Sequence, residues 1–344
     1  MRVERADGAL HVAVLAGGDS AEREVSLASG RNVVAALAQR GHDVEWLDPA
    51  LRDLASVPWD RFDVGFVALH GGAGEDGRVH AQLESWGVPC TGSGPVAASL
   101  AMSKSASKTR MLAAGVPTLP YVSFAVDEPR SLVAERVAEL GYPTVVKPDA
   151  QGSSLGVGFA ADAGELAVCI DAARCFGTLM LAEPWIDGRE FTVAVLGREP
   201  LPVLEIATPR GLFDYEAKYR CTATEYRFET GLPPEIVNRV RSAATAAVEA
   251  LGTAGLARVD LMLSRVGDPW VLEVNTVPGM TDHSLAPMAA ARAGLTFADL
   301  CDWMLRDALT RADRRDQRIG GDVVLRAADN ETSCQDIVVA GGRA

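Results

Sequence analysis

Lysine is scarce in this chain of 344 residues. Of its 33 basic residues only four are lysine, and these are Lys104, Lys108, Lys147 and Lys218. A lysine kept in so arginine-rich a chain is a candidate for a role that needs a compact point charge, such as phosphate binding. Nucleotide-composition bias and chance explain any single one of them equally well.

Basic surface, long apolar runs and paired cysteines are also missing. A net charge of −13 argues against nucleic acid as a partner. The sequence has no apolar run of about 18 residues and no signal-peptide pattern, which argues against a membrane protein. Its six cysteines form no CxxC pair and no zinc-site spacing. We therefore expect a cytoplasmic protein with reduced thiols.

The first hundred residues alternate apolar strands with a helical pattern, which predicts a parallel sheet. The first strand, "HVAVLAGG", is followed by a helix that Asp19 or Ser20 can cap, and the strands "DVEWLD" and "DVGFVALH" come next. The first strand lacks the G-x-G-x-x-G that a dinucleotide fold places after it. Ligands of such sheets bind beyond the strand ends, where we expect Gly17, Gly18, Glu22 and His70.

The middle of the chain predicts a strand, a loop of small residues and a second strand, in "YPTVVKPDAQGSSLGVGFA". The free N–H groups of this loop, with Lys147 beside it, suit a phosphate, but a glycine-rich hairpin without a ligand fits the same pattern. Glu183 and Glu190 flank two further strands, and the local pattern does not distinguish a functional from a solvated carboxylate. The polar stretch "FDYEAKYRCTATEYRF" has no period and is typical of a lid.

A hairpin near the C-terminus, "ARVDLML" and "PWVLEVN", sets acidic side chains opposite each other. A turn centred near Val266 and Gly267 pairs Asp260 with Glu273 and Arg258 with Asn275. The alternation of side chains then predicts two faces: Arg258, Asp260, Met262, Val271, Glu273 and Asn275 on one, and Val259, Leu261, Leu263, Leu272 and Val274 on the other.

Two carboxylates placed opposite each other repel, so an additional charge should offset them. The oxygen donors of Asp260, Glu273 and Asn275 suit Mg²⁺ shared with substrate phosphates. The alternative is an ion pair between Arg258 and one carboxylate on a solvated face.

Seven segments in this order resemble the D-alanine:D-alanine ligases of the ATP-grasp superfamily, over roughly Val12 to Arg311: "AGGDSAEREVSLASG", "ALHGGAGEDG", "TGSG", "VVKPDAQGSSLGVG", "DYEAKY", "ARVDLML" and "LEVNTVPGMTDHSLAPMAA". The resemblance implies an α/β fold with α+β elements, in which two mixed domains clamp ATP. We expect a Rossmann-like parallel-sheet domain at 1–102, a central ATP-grasp subdomain at 103–182, a catalytic domain at 183–311 and a disordered tail at 312–344.

The resemblance also implies the nucleotide site. Lys104 and Lys147 match lysines that hold ATP phosphates, Lys218 matches a lid lysine that reaches the γ-phosphate, and Glu183 and Glu190 match contacts to adenine and ribose. Asp260, Glu273 and Asn275 match the ligands of two Mg²⁺ ions, for which Mn²⁺ is a possible substitute. Whether K⁺ stimulates the reaction is left open.

For the amino acids, the resemblance implies that Glu22 receives the ammonium of the first D-alanine and is linked through Ser153 to Tyr219 of the lid. Arg258 and the backbone N–H of Gly279 match the groups that stabilise an oxyanion. His70 matches a histidine near the first substrate, and Ser284 and Leu285 match the site for the second substrate's carboxylate. Tyr219 favours an amine over D-lactate as the second nucleophile.

The implied activity is the ATP-dependent joining of two D-alanines through an acyl phosphate, for peptidoglycan precursor synthesis, in a homodimer. Alternatives are a ligase for another D-amino acid in specialised metabolism and a non-catalytic nucleotide-binding regulator. Two departures from the family pattern concern substrate contacts: Pro184 follows Glu183 where many relatives have lysine, and Arg227, Phe228 and Glu229 replace a small sequence in the lid.

Overall fold

The computed structural model describes residues 8–208 and 224–333, so the lid residues Lys218 and Tyr219 lie outside the described part of the chain. The N-terminal region has a parallel three-stranded sheet in the order β2-β1-β3, as the alternating pattern predicts. Its elements are β1 (His11–Leu15), α1 (Arg23–Gln39), β2 (Asp43–Leu47), β3 (Val64–Val67), α2 (Arg78–Ser85) and α3 (Pro95–Met102).

Helix α1 begins later than the sequence predicts. Its N-cap is Glu22, which makes no side-chain capping bond, so neither Asp19 nor Ser20 caps the helix. The Ser20 hydroxyl donates instead to the carbonyl of His70 at 2.5 Å and accepts the N–H of Glu22 at 3.2 Å. Ser20 therefore fastens the turn after β1 to the turn after β3, because both turns lie at the same sheet edge.

The central region is a four-stranded antiparallel sheet in the order β4-β7-β5-β6, covered by helices. The predicted strand, loop and strand around Lys147 are confirmed as β5 and β6. The elements of this region are α4 (Lys104–Ala113), β4 (Val122–Ala125), α5 (Arg130–Leu140), β5 (Thr144–Pro148), β6 (Gly158–Ala160), α6 (Ala163–Ala173) and β7 (Leu179–Pro184).

The next sheet is antiparallel in the order β11-β10-β8-β12-β13, with β9 paired to β8. Consecutive strands β7 and β8 belong to different sheets, so Glu183 and Glu190 lie on two sides of the cleft between the sheets. The strands are β8 (Gly188–Leu196), β9 (Glu199–Pro200), β10 (Leu204–Ala207), β11 (Glu225–Arg227), β12 (Leu256–Ser264) and β13 (Pro269–Asn275), and the helices are α7 (Pro234–Leu251), α8 (Leu285–Arg292) and α9 (Phe297–Ser333).

The predicted pairing of β12 with β13 is correct from Arg258 to Asp260 and wrong between Asp260 and the turn. Asp260 lies opposite Glu273, but the register shifts after Asp260, and Leu261 then lies opposite Val271. This bulge adds one residue, Leu272, to β13 and reverses the faces of two positions. Val271 packs in the core, whereas Leu272 lines the cleft with the site residues.

Helix α9 runs through the start of the expected disordered tail and ends, within the described residues, at Ser333. Arg311 pairs with Asp307 one turn earlier, and Arg315 pairs with Glu84 of α2. Charges of opposite sign at helical spacing support a helix that composition alone suggests is unfolded. In the described part of the chain, no helix is long and apolar enough to cross a membrane. The predicted domain limits stay a prediction.

Candidate active site

Glu22 and Ser153 meet at the edge of the parallel sheet. The Ser153 hydroxyl donates a hydrogen bond to Oε1 of Glu22, which is the contact implied by the resemblance. Ser153 and Ser154 have φ angles of 51° and 53°, an uncommon backbone conformation for residues other than glycine. The loop after β5 therefore bends sharply where its hydroxyl meets helix α1.

His70 is buried and donates a hydrogen bond to a backbone turn. Its Nδ1 lies 3.1 Å from the carbonyl oxygen of Val277, which can only accept, so Nδ1 carries the proton. Its Nε2 lies 2.9 Å from Oγ of Ser29 and accepts a hydrogen bond from that hydroxyl. The same Oγ accepts the N–H of Met280 at 3.1 Å. His70 and Ser29 thus hold both ends of the turn that contains Gly279.

The turn leaves no room for a side chain at Gly279 while Ser284 keeps its position. A Cβ at Gly279 would lie 2.6 Å from Oγ of Ser284 and would displace that hydroxyl. Ser284 is the N-cap residue of α8, and its hydroxyl accepts the N–H of Thr281 at 2.9 Å. Both Ser284 and Leu285 line the same cavity as Gly279, and the family resemblance implies that they hold the second substrate.

The two opposed carboxylates each have a basic neighbour. Arg258 makes a bidentate pair with Asp260, at 2.9 Å for both bonds, and Thr192 donates to the same carboxylate at 2.7 Å. Lys104 Nζ lies 3.3 Å from Oε2 of Glu273. The ion pair between Arg258 and a carboxylate, which is the alternative to a metal, is therefore present at Asp260. The repulsion between Asp260 and Glu273 does not by itself require a metal.

The donor set still fits a hard cation. Asp260 and Glu273 line one pocket, and the Asn275 amide is held by its Oδ1, which accepts the N–H of Val277 at 3.0 Å. All three offer oxygen, the element that Mg²⁺ prefers. Within residues 8–208 and 224–333, no group of three His, Cys, Asp or Glu side chains is arranged to hold a metal ion. A third ligand would have to be the Asn275 amide or a substrate oxygen.

The predicted lysines converge on the cleft. Lys104 begins helix α4 and donates to the carbonyl of Gln151 at 2.8 Å. Lys147, on β5, pairs with Oε2 of Glu183, and Lys108, on α4, pairs with Oε1 of the same carboxylate. Burial raises the pKa of Glu183, but Lys147 and Lys108 outweigh it and hold that pKa below its usual range. The sequence motifs assign no role to Lys108, although the scarcity of lysine makes it a candidate for a charge-dependent role.

These residues line two cavities that share a wall. The larger, about 820 Å³, contains Glu22, Ser153, Arg258, Gly279 and Ser284, and the smaller, about 110 Å³, contains Lys147, Glu183, Glu190 and Asp260. Lys104, Gln151 and Glu273 line both. A ligand spanning the two cavities would therefore pass the carboxylate of Glu273.

The altered lid residues Arg227 and Glu229 pair with other side chains, whereas two residues just before them, Thr224 and Tyr226, line the larger cavity and were not singled out by sequence reasoning. Arg227 pairs with Glu225, and Glu229 pairs with Arg292. Tyr226 between them lines the cavity. Side chains alternate between the two faces of β11, and this places Tyr226 on the cavity side. The alternation can be used only once the limits of the strand are known.

Two antiparallel sheets that close on a lysine-lined cleft, with a parallel sheet as the third wall, define an ATP-grasp protein. The family model described as "D-ala D-ala ligase C-terminus" matches residues 111–306. A D-alanine--D-alanine ligase from Alkalilimnicola ehrlichii is 44% identical over 90% of this chain and 98% of its own length.

Solved structures agree with this relationship. The chain is similar to a D-alanine--D-alanine ligase from Bacillus anthracis, with a TM-score of 0.80 and 32% identity over 89% of this chain and 100% of that one. A second structure of that enzyme, a complex with ATP, has a TM-score of 0.78 and 29% identity over the same shares. The chain belongs to the D-alanine--D-alanine ligase family.

Proposed function

We propose that the protein joins two molecules of D-alanine into D-alanyl-D-alanine and converts ATP to ADP and phosphate. The observation that carries the proposal is the shared wall of the two cavities, formed by Lys104, Gln151 and Glu273. The smaller cavity has the lysines that suit a nucleotide, and the larger has the carboxylate, arginine and glycine turn that suit an amino-acid pair. Phosphoryl transfer would take place where the two cavities meet.

In this proposal Lys104 and Lys147 bind phosphates of ATP, and Glu190 faces the ribose. Glu183 is buried between two lysines that occupy both of its carboxylate oxygens, so the backbone beside it is left for adenine. The lid residue Lys218, which lies outside the described residues, is the proposed contact to the γ-phosphate. A structure of the Bacillus anthracis relative in complex with ATP supports ATP as a ligand.

Asp260, Glu273 and Asn275 would hold Mg²⁺, or Mn²⁺ in its place. The ion, when bound, would neutralise negative charge on the phosphates during transfer. Arg258 already offsets Asp260, and Lys104 lies beside Glu273, so these oxygens are held in place before any ligand arrives.

The first D-alanine would place its ammonium against Glu22, and its carboxylate would take the γ-phosphoryl group, releasing ADP. The amine of the second D-alanine would then attack the carbonyl carbon, and phosphate would leave as the new amide forms. Arg258 and the N–H of Gly279 would stabilise the oxyanion, a contribution of roughly 3 kcal/mol for one such donor. Ser284 and Leu285 would hold the second carboxylate, and closure of the lid with Tyr219 would exclude water.

A panel of D-amino acids, with phosphate release as the readout, tests this proposal. We expect the highest kcat/KM for two D-alanines and no phosphate release with D-lactate as the second substrate. Turnover restricted to a different D-amino acid would overturn the D-alanine assignment, and ATP binding without turnover on any amino acid would overturn the ligase. We further propose a cytoplasmic homodimer, for which light scattering of the purified protein is the test.

A further inference from the structure

Lys108 is a completely buried cation to which neither the motifs nor the proposed chemistry gives a role. Its side chain has 0% relative exposure, and Glu183, its partner, has 2%. An uncompensated charge at such a position is costly, so every partner of Lys108 has to be accounted for.

The contacts of Lys108 suit its ammonium form. Nζ lies 2.7 Å from Thr118 Oγ1 and 3.4 Å from the Leu119 carbonyl oxygen, and it contacts Oε1 of Glu183. The Thr118 hydroxyl donates its own proton to the carbonyl of Val271, so it accepts from Lys108. Two of these neighbours accept hydrogen bonds and the third is a carboxylate, a set of partners that the ammonium form, with its three N–H donors and its positive charge, matches. The pKa of Lys108 is lowered by burial and further by Lys147, and Glu183 opposes both effects.

Glu183 therefore lies between two ammonium groups, one on each oxygen. Lys108, Lys147 and Glu183 together carry a net charge of +1. Lys108 is sealed in the interior, whereas Lys147 lines the nucleotide cavity, so the charge that remains is presented there. Without Lys108, Glu183 would neutralise Lys147, and the cavity would lose that positive charge.

We propose that Lys108 is a positioning residue for the nucleotide. It neutralises the Glu183 carboxylate from the buried side, and so leaves the charge of Lys147 available to the phosphates of ATP. This inference rests on the proposed nucleotide site. The bond from Lys108 to Thr118, and from Thr118 to Val271, also joins helix α4 to β13, the strand that carries Glu273. Since Lys108 also pairs with Glu183 on β7, it connects the two sheets that form the cleft.

The test compares the affinities for ATP and adenosine, measured by isothermal titration calorimetry with Mg²⁺ and without D-alanine. The proposal concerns phosphate binding alone, so Lys108→Met should lower the ATP-to-adenosine affinity ratio at least tenfold. The double variant Lys108→Met with Glu183→Gln removes one charge of each sign and should restore the ratio to within about threefold of the wild type. Thr118→Val keeps all three charges and is the matched control, with the ratio expected within about twofold of the wild type.

The double variant keeps the test decisive if Lys108→Met alone does not fold, because replacing both partners of a buried pair is tolerated better than removing one. A folded double variant whose ratio stays tenfold or more below that of the wild type would overturn the inference. An equal loss of ATP and adenosine affinity in Lys108→Met would do the same, since that is the result of a purely structural role. A wild-type protein that binds no ATP would overturn the proposed function itself.

Discussion

The hydroxyl of Ser153 donates to the carboxylate of Glu22 across 131 residues of sequence. The bond joins the loop after β5 to the start of helix α1, and so connects the central sheet with the N-terminal one. The left-handed backbone of Ser153, at φ 51°, brings its side chain to this contact. One hydrogen bond thus ties the loop between β5 and β6 to the proposed amino-acid site.

Ser153→Ala should lower kcat/KM for the first D-alanine about 10- to 100-fold and change ATP affinity less than twofold. The substitution removes a charge-assisted hydrogen bond that orients Glu22, and such a bond contributes about 1.5–3 kcal/mol. Steady-state kinetics with each substrate varied in turn is the measurement. Ser85→Ala, at an exposed position on α2, is the control. An equal change for ATP would contradict an effect limited to the amino-acid site.

Glu273→Gln should abolish Mg²⁺-dependent phosphate release, by a factor of about 100 or more, while the melting temperature changes little. The amide keeps the shape of the side chain but removes the charge proposed to hold the ion. Phosphate release and thermal melting at several Mg²⁺ concentrations check both parts. Glu139→Gln on the exposed face of α5 is the matched control. Full activity of Glu273→Gln would remove the metal argument.

Ser29→Ala should lower kcat about tenfold with little change in the KM for ATP. The substitution leaves the N–H of Met280 and Nε2 of His70 without the hydroxyl that joins them, so the turn containing Gly279 loses one of its two anchors. Single-turnover kinetics separates this effect from product release. Thr245→Ala, which removes a hydroxyl bonded within helix α7, is the control. An unchanged kcat would show that His70 and Ser29 do not set the geometry of the turn.

His80 should make the protein less stable in mild acid. It is buried, neither ring nitrogen has a hydrogen-bond partner among the described residues, and burial lowers its pKa from 6.5 to about 4. Arg311 lowers the pKa further, and Asp76 opposes that effect. The unfolded chain binds the proton more tightly, so stabilisation is complete above pH 6.5 and is lost as the pH falls toward about 4.

Between pH 7 and pH 5 we expect the wild type to lose about 2 kcal/mol of unfolding free energy that His80→Leu retains. Urea denaturation of both proteins at the two pH values measures the difference, and the contributions of all other groups cancel in the comparison. Parallel losses in the two proteins would show that the His80 imidazole is not responsible.

Contacts between residues close together in the chain are predictable from the amino-acid sequence. The pairing of Asp260 with Glu273 agrees with the hairpin prediction only in part for the predicted reason, because the turn pairs Leu261 with Val271 and the bulge then restores the predicted pair at Asp260. The strands on either side of the Gln151 loop are equally predictable, since each is a short apolar run beside small residues. The bulge at Leu272 is not, because an inserted residue leaves the alternation of a short strand ambiguous.

The sequence by itself determined the alternating strands of the N-terminal region, the two strands beside the Gln151 loop, the candidate lysines and the family, because periodicity and motif spacing are local properties. Only the tertiary structure showed that Lys108 and Lys147 share the carboxylate of Glu183, and that His70 acts on the turn of Gly279. These contacts join segments that are far apart in the chain. A buried charge takes its partners from whichever strands the packing brings beside it, and no spacing along the sequence encodes that choice.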